Sequence, residues 1–223
     1  MERYLQPTAF FDYDQPDLKA WIAHQLEGVP NDPVEQVKAL YLATRDSINY
    51  NPYVFRTDPA TFSASYALKS GETYCIPKAV LLGAAARSIG IPSRLGLADV
   101  RNHLSSQKLI DYLQSDIFRM HGFIELYLNG RWVKATPAFN ASLCELMHVE
   151  PLEFDGVNDS IFQEYTDSGE AHMEYVNDHG VFDDVPHDFI VRGIQAAYGH
   201  LFSENDISAA FSGSLADDAR ANQ

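Results

Sequence analysis

Apolar residues recur at helical spacing over 34–48, and the residues around this segment mark where a helix begins and ends. Asp32 offers a capping carboxylate, and Pro33 suits the first helical turn, where a backbone N–H would have no partner. Asn51-Pro52 forces the chain out of helical geometry. The pattern therefore predicts a helix that starts after Asp32 and ends before Asn51.

A second helix is predicted to begin close to Cys75. Pro77 fits its first turn, residues 79–89 are rich in alanine and leucine, and Gly90 and Pro92 stop it. The segment is apolar nearly all round, which is typical of a helix buried in the core rather than lying on its surface. Cys75 is therefore expected at the N-terminus of a buried helix.

Alternating residues predict strands in the middle of the chain. Residues 93–100 are typical of a strand, and residues 123–128 and 131–136 flank Asn129-Gly130. That dipeptide most readily takes the two positive φ angles of a two-residue hairpin turn. The turn also sets the register, because it places Leu128 opposite Arg131. We therefore predict an antiparallel hairpin.

The hairpin register orders the side chains around His121. Because side chains alternate between the two faces of a strand, His121 shares a face with Thr136 and Asn140, its diagonal neighbours. Pro137 is expected to end the ladder, so Thr136 is placed more firmly than Asn140. A histidine with hydrogen-bonding neighbours on its face is arranged as catalytic bases are, oriented by a third group.

The 223 residues are enough to bury one substantial core, so we predict a single domain over 1–202. Its core is expected over 33–140 and a C-terminal extension over 145–202, with a short hairpin around Asn177 to Gly180 and a helix over 188–202. Residues 203–223 are small and polar, and are predicted to form a flexible tail. These elements predict an α+β fold in which a buried helix carrying Cys75 packs on an antiparallel sheet carrying His121.

Charge narrows the range of partners. Acidic residues outnumber basic ones by 31 to 16, which gives a formal net charge of −15. Such a charge repels phosphate backbones and anionic membrane surfaces, so neither nucleic acid nor a membrane is expected as a partner. The first residues lack a basic stretch followed by an apolar one, and no run approaches the ~20 apolar residues of a spanning helix. We therefore expect a cytoplasmic protein.

Cys75 is the strongest candidate nucleophile. At a helix N-terminus, unpaired backbone N–H groups and the helix dipole favour negative charge, which lowers a thiol's pKa and offers an oxyanion site. A lone cysteine beside an alanine-rich helix is more often a small core residue, and Cys144 is interpreted as a buried thiol of that kind. Tyr74 would line the acyl pocket or donate to the oxyanion, although a packed aromatic residue explains it equally well.

Three stretches follow one another along the chain: Gly71-Glu-Thr-Tyr-Cys75, Arg87-Ser-Ile-Gly-Ile-Pro-Ser-Arg94 and His121-Gly-Phe-Ile-Glu-Leu-Tyr-Leu-Asn-Gly-Arg-Trp132. In this order they resemble the core of the transglutaminase-like superfamily, and the resemblance extends over about residues 33–140. The resemblance implies a papain-like fold with a Cys-His-Asp arrangement. It also implies acyl transfer through a thioester on Cys75, with His121 as the base.

The chain departs from this family at the third catalytic position. The family's aspartate precedes a proline on the strand after the histidine, and here Thr136 precedes Pro137. A threonine hydroxyl can accept a hydrogen bond from the imidazole but cannot stabilise an imidazolium by charge. Three candidates for the orienting group stay open: Thr136 first, then Asn140, by analogy with the asparagine of papain-like enzymes, and Asp155 last.

The sequence therefore predicts a cysteine-dependent enzyme that hydrolyses an amide or peptide-type bond in a peptide, a protein or a small amide substrate. The alternative is a catalytically inactive domain of the same fold that binds peptides or proteins, which the missing aspartate favours. No cofactor or metal is expected, because His172, His179 and His187 lack the spacing of metal ligands. His103 follows the predicted strand near the site, where a second polar contact is one interpretation and a surface-loop histidine is the preferred one. The oligomeric state is left open.

Overall fold

A four-stranded antiparallel sheet with helices packed against it forms the centre of the fold. The computed structural model describes residues 1–102, 107–161, 173–202 and 213–221. In chain order, the helices and strands of these residues are α1 (Pro16–Gln25), α2 (Pro33–Ser47), β1 (Asn49–Tyr50), α3 (Ala64–Ser70), β2 (Glu72–Thr73), α4 (Cys75–Ser88), β3 (Ser93–Asn102), α5 (Gln107–Leu113), β4 (Ile117–Leu128), β5 (Arg131–Ala135), α6 (Ala141–Met147), β6 (Met173–Phe182), α7 (His187–Ala197) and α8 (Leu215–Ala221). The sheet has the order β5-β4-β3-β6, and β1 and β2 form a separate parallel pair. None of the helices in the described ranges is long and apolar enough to cross a membrane.

Helix α4 is buried from Cys75 to Arg87 and packs against β4. A side chain added at Gly83 would bring its Cβ to 2.6 Å from both Cδ1 of Ile124 and Cε1 of Phe11. The glycine therefore lets the helix lie deep against the sheet. The predicted buried helix and the α+β architecture are both confirmed.

Helix α2 begins as the sequence predicts and is joined to α4 by a buried lysine. The carboxylate of Asp32 accepts hydrogen bonds from the first N–H groups of the helix. At the other end, Nζ of Lys78 donates to the carbonyl oxygen of Arg45 at 2.8 Å and also to that of Ile48. These bonds satisfy carbonyl groups that the end of α2 would otherwise leave unpaired.

The hairpin around Asn129-Gly130 is confirmed, including its register. Leu128 pairs with Arg131, and the ladder continues to the pair of Ile124 and Ala135. Both turn residues have positive φ angles, 50° and 85°. The ladder ends at Ala135, so Thr136 lies just beyond the paired strand rather than inside it.

Two arginines of the second family-like stretch hold the sheet to its surroundings. Arg87 donates to the carbonyl oxygens of Ser93 at 2.9 Å and Asp183 at 2.6 Å, and so joins α4 to β3 and to the turn after β6. Arg94 pairs with the carboxylate of Glu125 at 2.6 Å across β3 and β4. These two arginines stabilise the packing of the sheet, and neither lines the pocket described below.

The C-terminal part differs from the sequence prediction in two respects. The expected hairpin around Asn177 to Gly180 is wrong, because these residues lie within the single strand β6, which pairs with β3. Register shifts along that ladder absorb the irregular residues, including Gly180 with its φ of 86°. The helix expected over 188–202 forms as α7, followed by a short 3₁₀ turn at Gly199–Leu201.

Part of the predicted tail forms helix α8 against the domain. Asp218 of this helix is buried, accepts a hydrogen bond from the hydroxyl of Tyr53 at 2.7 Å and pairs with Lys108 at 2.6 Å. The carbonyl oxygen of Gly213 accepts a hydrogen bond from the side chain of Asn51 at 2.9 Å. No helix is predicted here from local sequence, because the contacts that hold α8 come from distant segments.

Candidate active site

Cys75 is the first residue of α4, and β4 passes close to it. Its Sγ accepts a hydrogen bond from the backbone N–H of Gly122, with an N···S distance of 3.3 Å. Tyr74 occupies the N-cap position, and its side chain makes no capping bond. The first N–H groups of α4 are therefore left to the thiol and to whatever binds beside it.

Burial controls the protonation of Cys75. It raises the pKa of the thiol to about 11, while the backbone N–H groups of Gly122, Ile76 and Cys75 itself oppose the rise. The net shift is therefore opposite to the one expected from the helix N-terminus alone. The N–H groups act in the expected direction, but the loss of solvation outweighs them, and Cys75 is a thiol at neutral pH.

The closeness of β4 to the helix depends on Gly122. A Cβ at this position would stand 2.7 Å from Cγ1, 2.9 Å from Cα and 3.2 Å from N of Ile76. Two of these atoms belong to the helix backbone, which cannot rotate away as a side chain can. Only a glycine therefore allows the strand to place its N–H on the Cys75 thiol.

His121 precedes Gly122 on β4 and is also buried. Burial lowers the pKa of its imidazole to about 4, so the ring is neutral at physiological pH. His121 and Cys75 line the same cavity, although no hydrogen bond joins them in the described structure. The pair thus consists of a neutral thiol and a neutral imidazole, with no ion pair formed in the resting protein.

The candidates for the orienting group lie in different environments. Nε2 of His121 and the hydroxyl of Thr136 are both buried without a hydrogen-bond partner in the described residues, and both residues line one small cavity. The amide of Asn140 is engaged elsewhere, since Oδ1 accepts from the N–H of Tyr50 at 2.9 Å and Nδ2 donates to Ser142 at 2.8 Å. The structure thus brings Thr136 beside His121 and gives the Asn140 amide other partners.

Asp155 takes no part in this arrangement. Its carboxylate accepts hydrogen bonds from the backbone N–H groups of Val157 and Asn158, each at 2.7 Å. The residue is exposed and stabilises its own turn.

A cavity of about 70 Å³ opens beside Cys75 and His121. We call it the Cys75 pocket, and its apolar walls include Tyr50, Phe55, Leu113, Phe118, Met120 and Ile194. Tyr74 also lines the pocket, and its hydroxyl is buried without a partner in the described residues. Burial raises the pKa of Tyr74 well above its ordinary value, so this hydroxyl keeps its proton and can donate it in a hydrogen bond.

A buried carboxylate next to the site was missed by the sequence reasoning. Asp99 of β3 accepts hydrogen bonds from the backbone N–H of Met120 at 3.1 Å, from Arg119 at 2.8 Å and from His179 at 2.8 Å. Met120 has a φ of 58°, which is uncommon for a residue with a side chain, and it directly precedes His121. The available signal was an aspartate within the otherwise apolar run 95–100.

Neither His187 nor the second cysteine, Cys144, is among the residues that line the Cys75 pocket. His187 bonds the carbonyl oxygen of Thr57 at 2.9 Å, whereas His103 and His172 fall outside the described residues. Across the described parts of the chain, no three histidine, cysteine or acidic side chains converge as a metal site would require. Cys144 is fully buried, and burial raises the pKa of its thiol to about 11.

Comparison with known proteins places this site in a family. The family model described as the transglutaminase-like superfamily matches residues 20–137, more than half of the chain. The chain belongs to the transglutaminase-like superfamily. Within that match lie Cys75, His121 and Thr136, while Asn140 lies outside it. The membership supports a cysteine-dependent enzyme in general terms.

One solved structure aligns with this transglutaminase-like chain at 18% identity and a TM-score of 0.45. It is described as that of "a Putative Cysteine Protease from Cytophaga hutchinsonii", and the alignment covers 80% of this chain and 53% of that one. The chain thus spans about half the length of that protein. No curated protein matches the chain.

Proposed function

We propose that this transglutaminase-like protein hydrolyses an amide or peptide-type bond through a thioester on Cys75, with His121 as the base. The observation that carries the proposal is the shared cavity. A buried cysteine at a helix N-terminus and a buried, unpaired histidine line one pocket, and a backbone N–H is already directed at the sulfur. A pure binding domain has no need of this combination.

The neutral resting pair determines how the reaction begins. His121 takes the thiol proton as the Cys75 sulfur bonds to the carbonyl carbon, and the carbonyl π electrons move to its oxygen. Collapse of this intermediate breaks the C–N bond, and the amine leaves with the proton from His121. Water then attacks the thioester, giving one proton to His121, which returns it to the sulfur as the acid is released.

Two features support stabilisation of the oxyanion in this scheme. The first N–H groups of α4 lie beside the sulfur, since those of Cys75 and Ile76 both act on its pKa. The unpaired hydroxyl of Tyr74 is a second donor in the Cys75 pocket. We assign the substrate oxyanion to the N–H groups first and to Tyr74 second.

Thr136 is our proposal for the group that orients His121. Its hydroxyl and Nε2 of His121 are two unpaired, buried polar atoms at one small cavity. Each such atom costs about 1–3 kcal/mol while it is unpaired, so a hydrogen bond between the two is favoured. The resulting bond would orient the ring without adding the negative charge that an aspartate supplies.

A second function has its own support. The threonine at the family's aspartate position and the absence of a Cys75–His121 hydrogen bond in the described structure both favour a catalytically inactive domain that binds peptides or proteins. Thiol reactivity separates the two functions, because only the enzyme requires a cysteine that the histidine activates.

The test is alkylation with limiting iodoacetamide near neutral pH, followed by peptide mapping. Cys75 is expected to be labelled before Cys144, since Cys75 lines a pocket and Cys144 is fully enclosed. His121→Ala should slow the labelling of Cys75 by at least about tenfold, because the thiol loses its base. Replacement of the exposed His24 by alanine is the matched control and should leave the rate unchanged.

Faster labelling of Cys144 in the folded protein would contradict the choice of nucleophile. An unchanged Cys75 rate in folded His121→Ala would break the proposed pair and favour the binding domain. If neither outcome occurs, mass-spectrometric detection of acyl groups captured on Cys75 would identify the substrate class of the wild-type protein.

A further inference from the structure

Arg119 is the one side chain with a permanent charge among the described residues that line the Cys75 pocket. Most of the other walls are aromatic or aliphatic, and His121 is neutral. The Arg119 side chain is 39% exposed, so a ligand entering from solvent can reach it. A cation at this place is unexpected for a pocket that only has to hold an apolar group.

A hydrogen bond to the buried carboxylate of Asp99 holds the Arg119 side chain in place. Its Nη1 donates to Oδ2 of Asp99 at 2.8 Å, and the Asp99 side chain is only 3% exposed. Asp99 is held in turn by the N–H of Met120 at 3.1 Å and by His179 at 2.8 Å. The backbone N–H of Arg119 donates to the hydroxyl of Tyr198 at 2.9 Å. The side chain is thus preorganised, and ordering it on ligand binding costs little.

The hydrogen bond to Asp99 leaves other N–H donors of the Arg119 guanidinium available to a ligand. Arginine offers five N–H donors in a planar fork, and the described structure shows only the Nη1 bond to Asp99. Such a fork matches the two oxygens of a carboxylate. In a chain with a net charge of −15, a cation among the residues that line the Cys75 pocket also attracts an anionic ligand against the general repulsion.

We infer that Arg119 binds a carboxylate of the substrate, so that the acyl donor has an apolar segment near the scissile carbonyl and a carboxylate farther out. The inference rests on the proposed function, because it takes Cys75 as the atom to which the acyl group bonds. It makes Arg119 a specificity residue that selects among amides and takes no part in proton transfer.

The test uses paired maleimides that label Cys75. In each pair the N-substituent ends either in a carboxylate or in the matching methylamide, and the spacer length increases from pair to pair. The ratio of the two labelling rates isolates the effect of the charge, because both members react with the same thiol. For at least one spacer, this ratio should fall by about threefold or more in Arg119→Gln. Arg119→Lys keeps the charge and should retain part of the preference.

Arg131→Gln is the matched control, since it removes an equal charge from the exposed first residue of β5 in the same sheet. Its ratio should equal that of the wild type. In the wild type alone, the preference for the carboxylate should weaken as salt is added, which tests the charge without any substitution.

The inference is overturned if the ratio is the same in wild type and Arg119→Gln at every spacer, or does not respond to salt, while Cys75 is labelled normally. That outcome leaves the proposed function intact. If the neutral maleimides label Cys144 in preference to Cys75, the nucleophile assignment fails and this inference fails with it.

Discussion

Replacement of Gly122 by alanine tests the geometry of the site most directly. The added Cβ would stand 2.7 Å from Cγ1 and 2.9 Å from Cα of Ile76, so β4 has to move away from the start of α4. The N–H of Gly122 then loses its 3.3 Å contact with Sγ of Cys75. Because His121 is the preceding residue, this proposed base moves with the strand.

The size of the effect follows from these contacts. Overpacking against a helix backbone costs about 1–3 kcal/mol, and the lost N–H···S bond adds about 0.5–1.5 kcal/mol. The smaller conformational freedom of alanine in the unfolded chain returns about 0.4–1 kcal/mol. We therefore expect the free energy of unfolding to fall by about 0.5–4 kcal/mol. Displacement of the pair should slow labelling of Cys75 by at least about tenfold, since shifts of 1 Å can cost 10²-fold.

The assay is urea unfolding together with the rate of iodoacetamide labelling at Cys75. Gly83→Ala is the matched control. Gly83 lies in α4, the helix that Cys75 begins, and its Cβ would meet the ends of the Ile124 and Phe11 side chains at 2.6 Å, away from the thiol. It should lower stability yet keep the labelling rate within about twofold, as expected for separated sites. A wild-type labelling rate in Gly122→Ala, or an equal loss in Gly83→Ala, would refute the reasoning.

Three further measurements test other parts of the structure. Thr136→Val should lower kcat by about tenfold or more while Asn140→Ala has a smaller effect, and the reverse order would make the asparagine the orienting group. Burial lowers the pKa of Lys78 to about 7 from 10.5, so between these values the unfolded chain binds more protons than the folded protein. The free energy of unfolding should therefore rise by about 1.5–2 kcal/mol from pH 7 to about pH 8.5, and a rise that persists in Lys78→Met would assign it to another group. Asp218→Asn removes the charge paired with Lys108 and should lower the free energy of unfolding by about 1–3 kcal/mol; an unchanged value would show that α8 contributes little to stability.

Several elements could be predicted from the sequence because their causes are local. The Asp32 cap, the helical spacing after it and the Asn129-Gly130 turn each act within a few residues. The same holds for α4, whose apolar composition on all sides indicated burial. The Cys75 and His121 candidates came from ordered motifs, and the structure places both at one cavity.

Three unpredicted features depend on which distant segments meet. The strand β6 pairs with β3 and not within itself, and α8 is held by residues of two other segments. The cluster of Asp99, Arg119 and His179 joins three strands, so no local spacing reveals it.

The sequence by itself determined helices α2 and α4, the hairpin with its register and the identity of the candidate pair, because capping, periodicity and turn geometry are set by neighbouring residues. Only the tertiary structure decided the protonation of that pair. Desolvation by the whole surrounding core outweighs the helix N–H groups at Cys75 and lowers the pKa of His121 to about 4. It also decided the surroundings of His121, since the ladder ends at Ala135 and the Asn140 amide bonds Tyr50 instead. Burial and long-range contacts arise only when separate segments pack, and no stretch of sequence encodes them alone.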